Sequence, residues 1–196
     1  MLLGLLFNTY FSQMISPKSH ALLIADPFLK EDPFKRSVVY LCTHDNTGSI
    51  GFIINKPSGF YLYELINGVS STDIEVFTGG PVGEDTLHFI HQEPQLIPGG
   101  QQIGKSTYWG GDFEKAIDAI KKGTINTDAI KFFLGYSGWS SGQLAGEIKE
   151  NNWLLAPASQ PIIFNTSAEQ CWEQSILSLG KDYQELIYYP IDPQLN

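Results

Sequence analysis

The chain has 196 residues, 42% of them apolar, and sets 12 Lys and Arg against 21 Asp and Glu for a formal net charge of −9. A chain of this length and apolar content buries roughly 70% of its unfolded surface as one domain, without a disulfide or metal to staple it. Arg36 is the only arginine. That balance excludes a large duplex-DNA footprint, because such affinity comes from Lys and Arg neutralising phosphates.

The N-terminal run Met1-Leu-Leu-Gly-Leu-Leu-Phe7 is interrupted by Asn8, has no basic residue before Lys18 and leads to no small-residue cleavage site. It is far short of the ~20 apolar residues that span a bilayer. Residues 1–17 therefore read as an appendage, a short helix docked on the body. Cys42 and Cys171 are distant and lie in no CxxC or Cys/His spacing. Two scattered thiols suit a reducing compartment, so a cytoplasmic protein is expected.

From residue 21 the pattern is strand-like. Ala21 to Ala25 and Ser37 to Thr43 are nearly continuous apolar runs, and His44-Asp-Asn-Thr-Gly48 supplies turn residues before Ser49 to Asn55, so 37–55 reads as a hairpin. Lys56-Pro57 ends that strand. Leu62 to Asn67 is a short helix candidate, and 74–78 and 86–91 are strands divided by Gly79-Gly80-Pro81. Residues 93–111 read as loop with at most a short strand. Asp112 is a suitable N-cap for an amphipathic helix that Gly123 closes. Ala129 to Leu134 is a strand. Ser140 with Gln143 forms a capping box for a helix to about Glu150, and Ser167 with Gln170 a second, for a helix ending at Gly180. Trp153 to Pro157 and Ile162 to Phe164 read as extended. The sum is one α+β domain over residues 18–196 with a mixed sheet.

Gly135-Tyr-Ser-Gly-Trp139 joins a predicted strand to a predicted helix, the context of a nucleophile elbow. Trp139 is too bulky for the final glycine of that motif. All four histidines, His20, His44, His88 and His91, precede Ser137. The segment therefore reads as a tight strand-to-helix turn with Ser137 bonding backbone, whose amides would suit a small anion. His88 and His91, three apart on a strand, point to opposite faces. Cys42 and His44 supply two ligands where zinc needs three or four. Gly79-Gly80-Pro81 lacks the Lys-Ser/Thr of a phosphate loop. No metal, cofactor or catalytic residue is assigned.

Several segments together resemble a known family. They are Leu22-Leu-Ile-Ala-Asp-Pro27, Arg36 to Cys42 with His44, Gly51-Phe-Ile-Ile-Asn-Lys-Pro57, Thr78-Gly-Gly-Pro-Val82, Phe133 to Leu144, and Glu147 to Trp153. In this order they resemble the YqgE/AlgH family, most of all its Bacteroidetes branch, from about residue 18 to the C-terminus. The resemblance implies a bacterial α+β protein whose mixed, bifurcated β-sheet is curled into a pseudo-barrel with helices packed outside. It carries the label of transcriptional regulator and no assigned reaction. The family's Asp-Pro-x-Phe-x-Arg loop departs here, with Glu31 at its first aspartate position, and Ser106-Thr107 replaces a common Asp-Gly.

These readings lead to a non-catalytic binding or regulatory module that acts through a protein or small-molecule partner rather than by gripping DNA. Its candidate ligand-binding residues are Asn55, Gly79, Gly80, Tyr136, Ser137, Trp139, Gln143 and Glu147. The competing expectation is a hydrolase-like enzyme using His44 or carboxylates near the Gly135–Gly142 turn.

Overall fold

The computed structural model describes residues 19–70 and 74–190. The docked helix expected at 1–17 lies outside the described residues. Strands β1 (Ala21–Ala25), β2 (Val38–Asp45) and β3 (Gly48–Ile53) form an antiparallel meander. Asp45 makes the hairpin turn, its Oδ1 accepting from Thr47 N at 2.7 Å and Thr47 Oγ1 at 2.6 Å. Then follow β4 (Pro57–Tyr61), the short helix α1 (Leu62–Leu65), β5 (Glu75–Thr78) and β6 (Val82–His91). Two-residue strands β7 (Gln101–Gln102) and β8 (Tyr108–Trp109) precede α2 (Phe113–Lys121). The chain continues through β9 (Ile130–Ser140), α3 (Gln143–Lys149), β10 (Trp153–Pro157), a wide helical turn at Pro161–Asn165 and α4 (Ala168–Ser178). A 3₁₀ segment, Lys181–Tyr188, closes the described part.

The result is a single α+β domain with a mixed, bifurcated sheet. The main path runs β10-β1-β2-β3-β9-β6-β8-β7. Its ends are not joined, so the sheet is not closed into a barrel. β9 is the branch point. Its first half pairs in parallel with β5 and its second half antiparallel with β3, while β6 occupies the other edge.

The apolar runs are continuous because both sheet faces are covered. Leu22, Ile24, Val38 and Tyr40 pack with Cys171, Trp172 and Ile176 of α4. On the reverse face Leu23, Val39 and Leu41 meet Leu144 and Ile148 of α3. Beyond the branch, Val76, Phe89 and Phe132 bury the inner stripe of α2. Asp112 caps α2 by accepting from Lys115 N at 3.1 Å.

Three expectations need correcting. Gly135 to Ser140 is not a strand-to-helix turn; it lies inside the eleven-residue β9. The cause is Gly135, whose φ of +67° turns the strand over without ending it. Phe133 and Tyr136 consequently share one apolar cluster although three apart, and Trp139 joins the opposite one. A period-2 reading loses the strand at that flip. Second, Ile162 to Phe164 forms the helical turn at Pro161–Asn165 rather than an extended segment. Third, α3 is capped by Gly142 in the left-handed region (φ +76°), not by Ser140. Gln143 still reaches back, its Oε1 accepting from Ser140 N at 3.0 Å. Ser167 does cap α4, but through its backbone position without a side-chain cap bond.

Candidate functional site

The eight candidate residues fall into three places. The first is the crossing of the β5–β6 turn over β9. Gly79 N donates to Leu134 O at 2.7 Å, and Gly79 O accepts from Ile53 N at 2.9 Å and from Ser137 Oγ at 3.0 Å. The backbones meet so closely that a Cβ on Gly80 would stand 2.4 Å from Ser137 Oγ. Ser137 is fully buried. Its hydroxyl is committed to a carbonyl, not to a base, and its register places it opposite Gly51 in the ladder. The small-anion reading of these amides therefore does not hold. Tyr136 lies on the other face, edge-on to the His88 ring at 5.9 Å. His88 also packs against Phe52 and Trp109, and burial pushes its pKa down.

The second place joins Trp139, Gln143 and Glu147. Glu147 Oε2 accepts from the indole N–H of Trp139 and from that of Trp153, each at 2.8 Å, and Oε1 accepts from Gln143 Nε2 at 2.9 Å. Phe34 closes over both indoles, 5.5 Å from Trp153 and 6.3 Å from Trp139. The carboxylate thus ties β9, α3 and β10 together through three accepted hydrogen bonds.

Asn55 stands alone in the third place. It is buried, accepts from Val38 N at 2.8 Å and donates to Arg36 O at 3.0 Å. It also lines a cavity of about 400 Å³ with Arg36, Lys56, Trp172 and the start of α4. Arg36 has a positive φ of +54°, and its guanidinium lies 3.9 Å over the Trp172 ring. Neither Gly79, Gly80, Tyr136, Ser137, Trp139, Gln143 nor Glu147 lines it.

A second cavity, of about 480 Å³, lies on the other side of the start of α4. At its wall Lys131 is only 8% exposed, its ammonium 4.0 Å over the Phe77 ring and donating to Ile163 O at 3.2 Å. Burial lowers its pKa to about 8. Glu75, Asp128 and Glu169 line the same cavity, giving it an acidic rim. Reasoning from sequence missed both Arg36 and Lys131. The available signals were a lone arginine in an irregular loop and a lysine inside the apolar run 129–134.

His44 offers Nδ1 to Ser49 Oγ at 2.7 Å on the paired strand, with Ser49 only 5% exposed. That pair is a cross-strand contact, and His44 lines neither cavity. His88 and His91 do diverge, His88 toward Phe52 and Tyr136 and His91 toward Gly110 O at 3.0 Å. Among the described residues, no three His, Cys, Asp or Glu gather as metal ligands, and no helix is long and apolar enough to cross a membrane.

Residues 22–184 match a family model described as AlgH-like. A UPF0301 protein of Chlorobium luteolum is 41% identical over 175 residues, covering 89% of this chain and 93% of that protein. One from Cytophaga hutchinsonii is 38% identical over 176 residues, covering 89% and 97%. The solution structure of AlgH from Pseudomonas aeruginosa superposes with a TM-score of 0.70 at 28% identity, over 90% of this chain and 97% of that one. A crystal structure from Corynebacterium diphtheriae shares the fold with a TM-score of 0.75 at 17% identity, over 89% and 94%.

Proposed function

The chain belongs to the AlgH-like family, and from that premise we propose that it works as a non-catalytic binding module for a small ligand, with any influence on transcription passing through that ligand or a partner protein. One observation carries this reading. In the block from Phe133 to Trp153, the groups with chemical capacity are already committed internally: Ser137 to a carbonyl, and Glu147 to two indoles and a carboxamide. A nucleophile needs a base within hydrogen-bond reach, and Ser137 bonds none.

The cavity beside Asn55 is the place this reading assigns to the ligand. The other seven candidates then act as framework, holding the β9 branch point and the β9–α3–β10 tie. The charge of −9 and the absence of a basic stripe on the helices favour this reading over direct operator binding. Two buried, free thiols favour a cytoplasmic setting.

The test is to expose the folded protein to a fluorophosphonate probe and to a panel of p-nitrophenyl esters. The expected result is no label on Ser137 and no turnover. Ester hydrolysis that disappears in Ser137→Ala or His44→Ala would refute the reading and establish the hydrolase instead. Sequence-dependent duplex binding at physiological salt would refute its second clause.

A further inference from the structure

We propose that the Arg36–Lys56 cavity is a small-oxyanion site that receives the carboxylate or phosphate group of a small ligand; this deepens the binding-module reading and rests on it. Two of the chain's 12 basic residues converge there, in a protein of net charge −9. Among the described residues neither cation lies within 4.0 Å of a carboxylate. Two cations lining one cavity with no ion pair of their own are suited to receive an anion.

Arg36 is held ready. Its backbone takes the left-handed conformation, uncommon for a side chain of this size, and the Asn55 carboxamide fixes it by donating to the Arg36 carbonyl. The guanidinium stacks on Trp172, and that indole is itself anchored by donating to Ala25 O at 2.8 Å. Of the five guanidinium donors, one meets the Tyr189 carbonyl, and among the described residues the buried Nε has no partner. The side chain is thus oriented by contacts that leave most of its donors unused. Asn55 is a positioning residue here.

Lys56 lines the same cavity, half-buried, and its ammonium has no hydrogen bond or ion pair among the described residues. Burial lowers its pKa, with Lys35 adding to the shift and the nearby charge of Asp32 opposing it. The flank of α4 forms one wall through Ala168, Glu169, Trp172 and Glu173. Glu169 and Glu173 stand exposed at the rim. Their charge opposes an anion and confines it to the Arg36–Lys56 end. About 400 Å³ suits a small metabolite. Two cations are far too few for a nucleic-acid backbone.

Calorimetric titration of the full chain with inorganic phosphate and, separately, with succinate, at constant ionic strength, tests the assignment. Saturable one-to-one binding of either supports it, and the anion that binds names the group. Lys56→Gln weakens binding about tenfold, the scale of one charge-assisted hydrogen bond at a partly exposed site. Glu173→Gln tightens it about two- to threefold by removing a rim charge. Thermal melts of both variants verify that each is folded. No saturation by either anion, or binding by both variants indistinguishable from the parent, overturns the assignment. If that happens while the fluorophosphonate still leaves Ser137 unlabelled, the oxyanion assignment falls and the non-catalytic reading stands.

Discussion

Replacing Glu147 with alanine removes one acceptor from three donors on three elements. Trp139 and Trp153 are 6% and 3% exposed, so their indole N–H groups gain little water when the carboxylate leaves. A hydrogen bond to a charged group contributes about 1.5–3 kcal/mol net, and a stranded buried donor costs about 1–3 kcal/mol. The carboxylate is only half-buried, which places each contribution at the low end of its range. The expected loss for Glu147→Ala is therefore about 2–4 kcal/mol, with Glu147→Gln intermediate because its one carbonyl oxygen still serves an indole. Urea unfolding followed by tryptophan fluorescence measures it, with an unchanged m-value showing that stability alone has moved. In a cycle with Trp153→Phe the two losses overlap by more than about 1 kcal/mol, since both remove the same bond. A Glu147→Ala loss below about 0.5 kcal/mol, or full additivity in the cycle, refutes the carboxylate's role as the tie between β9, α3 and β10.

Other outcomes follow from the same geometry. Gly135→Ala must hold an alanine at φ +67° with its Cβ 2.6 Å from Gly80 O and 2.9 Å from Val82 O, and so lowers stability by at least about 3 kcal/mol in the same urea assay. Lys131 has a folded pKa of about 8 against its ordinary 10.5, so the unfolded chain binds more protons between these values and stability rises with pH across that window. Lys131→Met abolishes its share of that rise and stabilises the protein at pH 7 by about 1–3 kcal/mol, read by comparing the two stability–pH curves. Cys42 and Cys171 are buried, and burial pushes both thiols up, Cys171 to about 11. Native protein at pH 7.5 therefore resists maleimide at both positions, while urea-unfolded protein takes two labels by mass spectrometry.

Much of the fold was legible because local rules and tertiary packing agreed. The 37–55 hairpin announced itself through Asp45 and Gly48 between two apolar runs. Asp112 and Gly123 bracketed α2 by their capping chemistry. The misread segments are those where a distant contact overrides the local pattern. Gly135 looks like a strand end in sequence, yet the ladders to β3 and β6 carry the strand through it. Ile162 to Phe164 is apolar enough for a strand, but Pro161 starts a helical turn there instead.

The candidate site shows the same division more sharply. Ser137, Gln143 and Glu147 drew notice as polar residues among glycines and tryptophans, and in the structure their polar atoms bond a carbonyl, a backbone N–H and two indoles of the protein itself. Arg36 and Lys56 were passed over because the pair Lys35-Arg36 is too short to be a basic patch and Lys56 stands alone in sequence. By itself the sequence determined the family, the α+β class and most element boundaries, all of which depend on composition or on neighbours a few residues apart. Only the tertiary structure decided that β9 passes through its glycines, that Glu147 is an internal tie, and that Arg36 and Lys56 line one cavity against the flank of α4. Arg36 and Trp172 are 136 positions apart in the chain, and no local periodicity reports a contact made by folding the sheet between them.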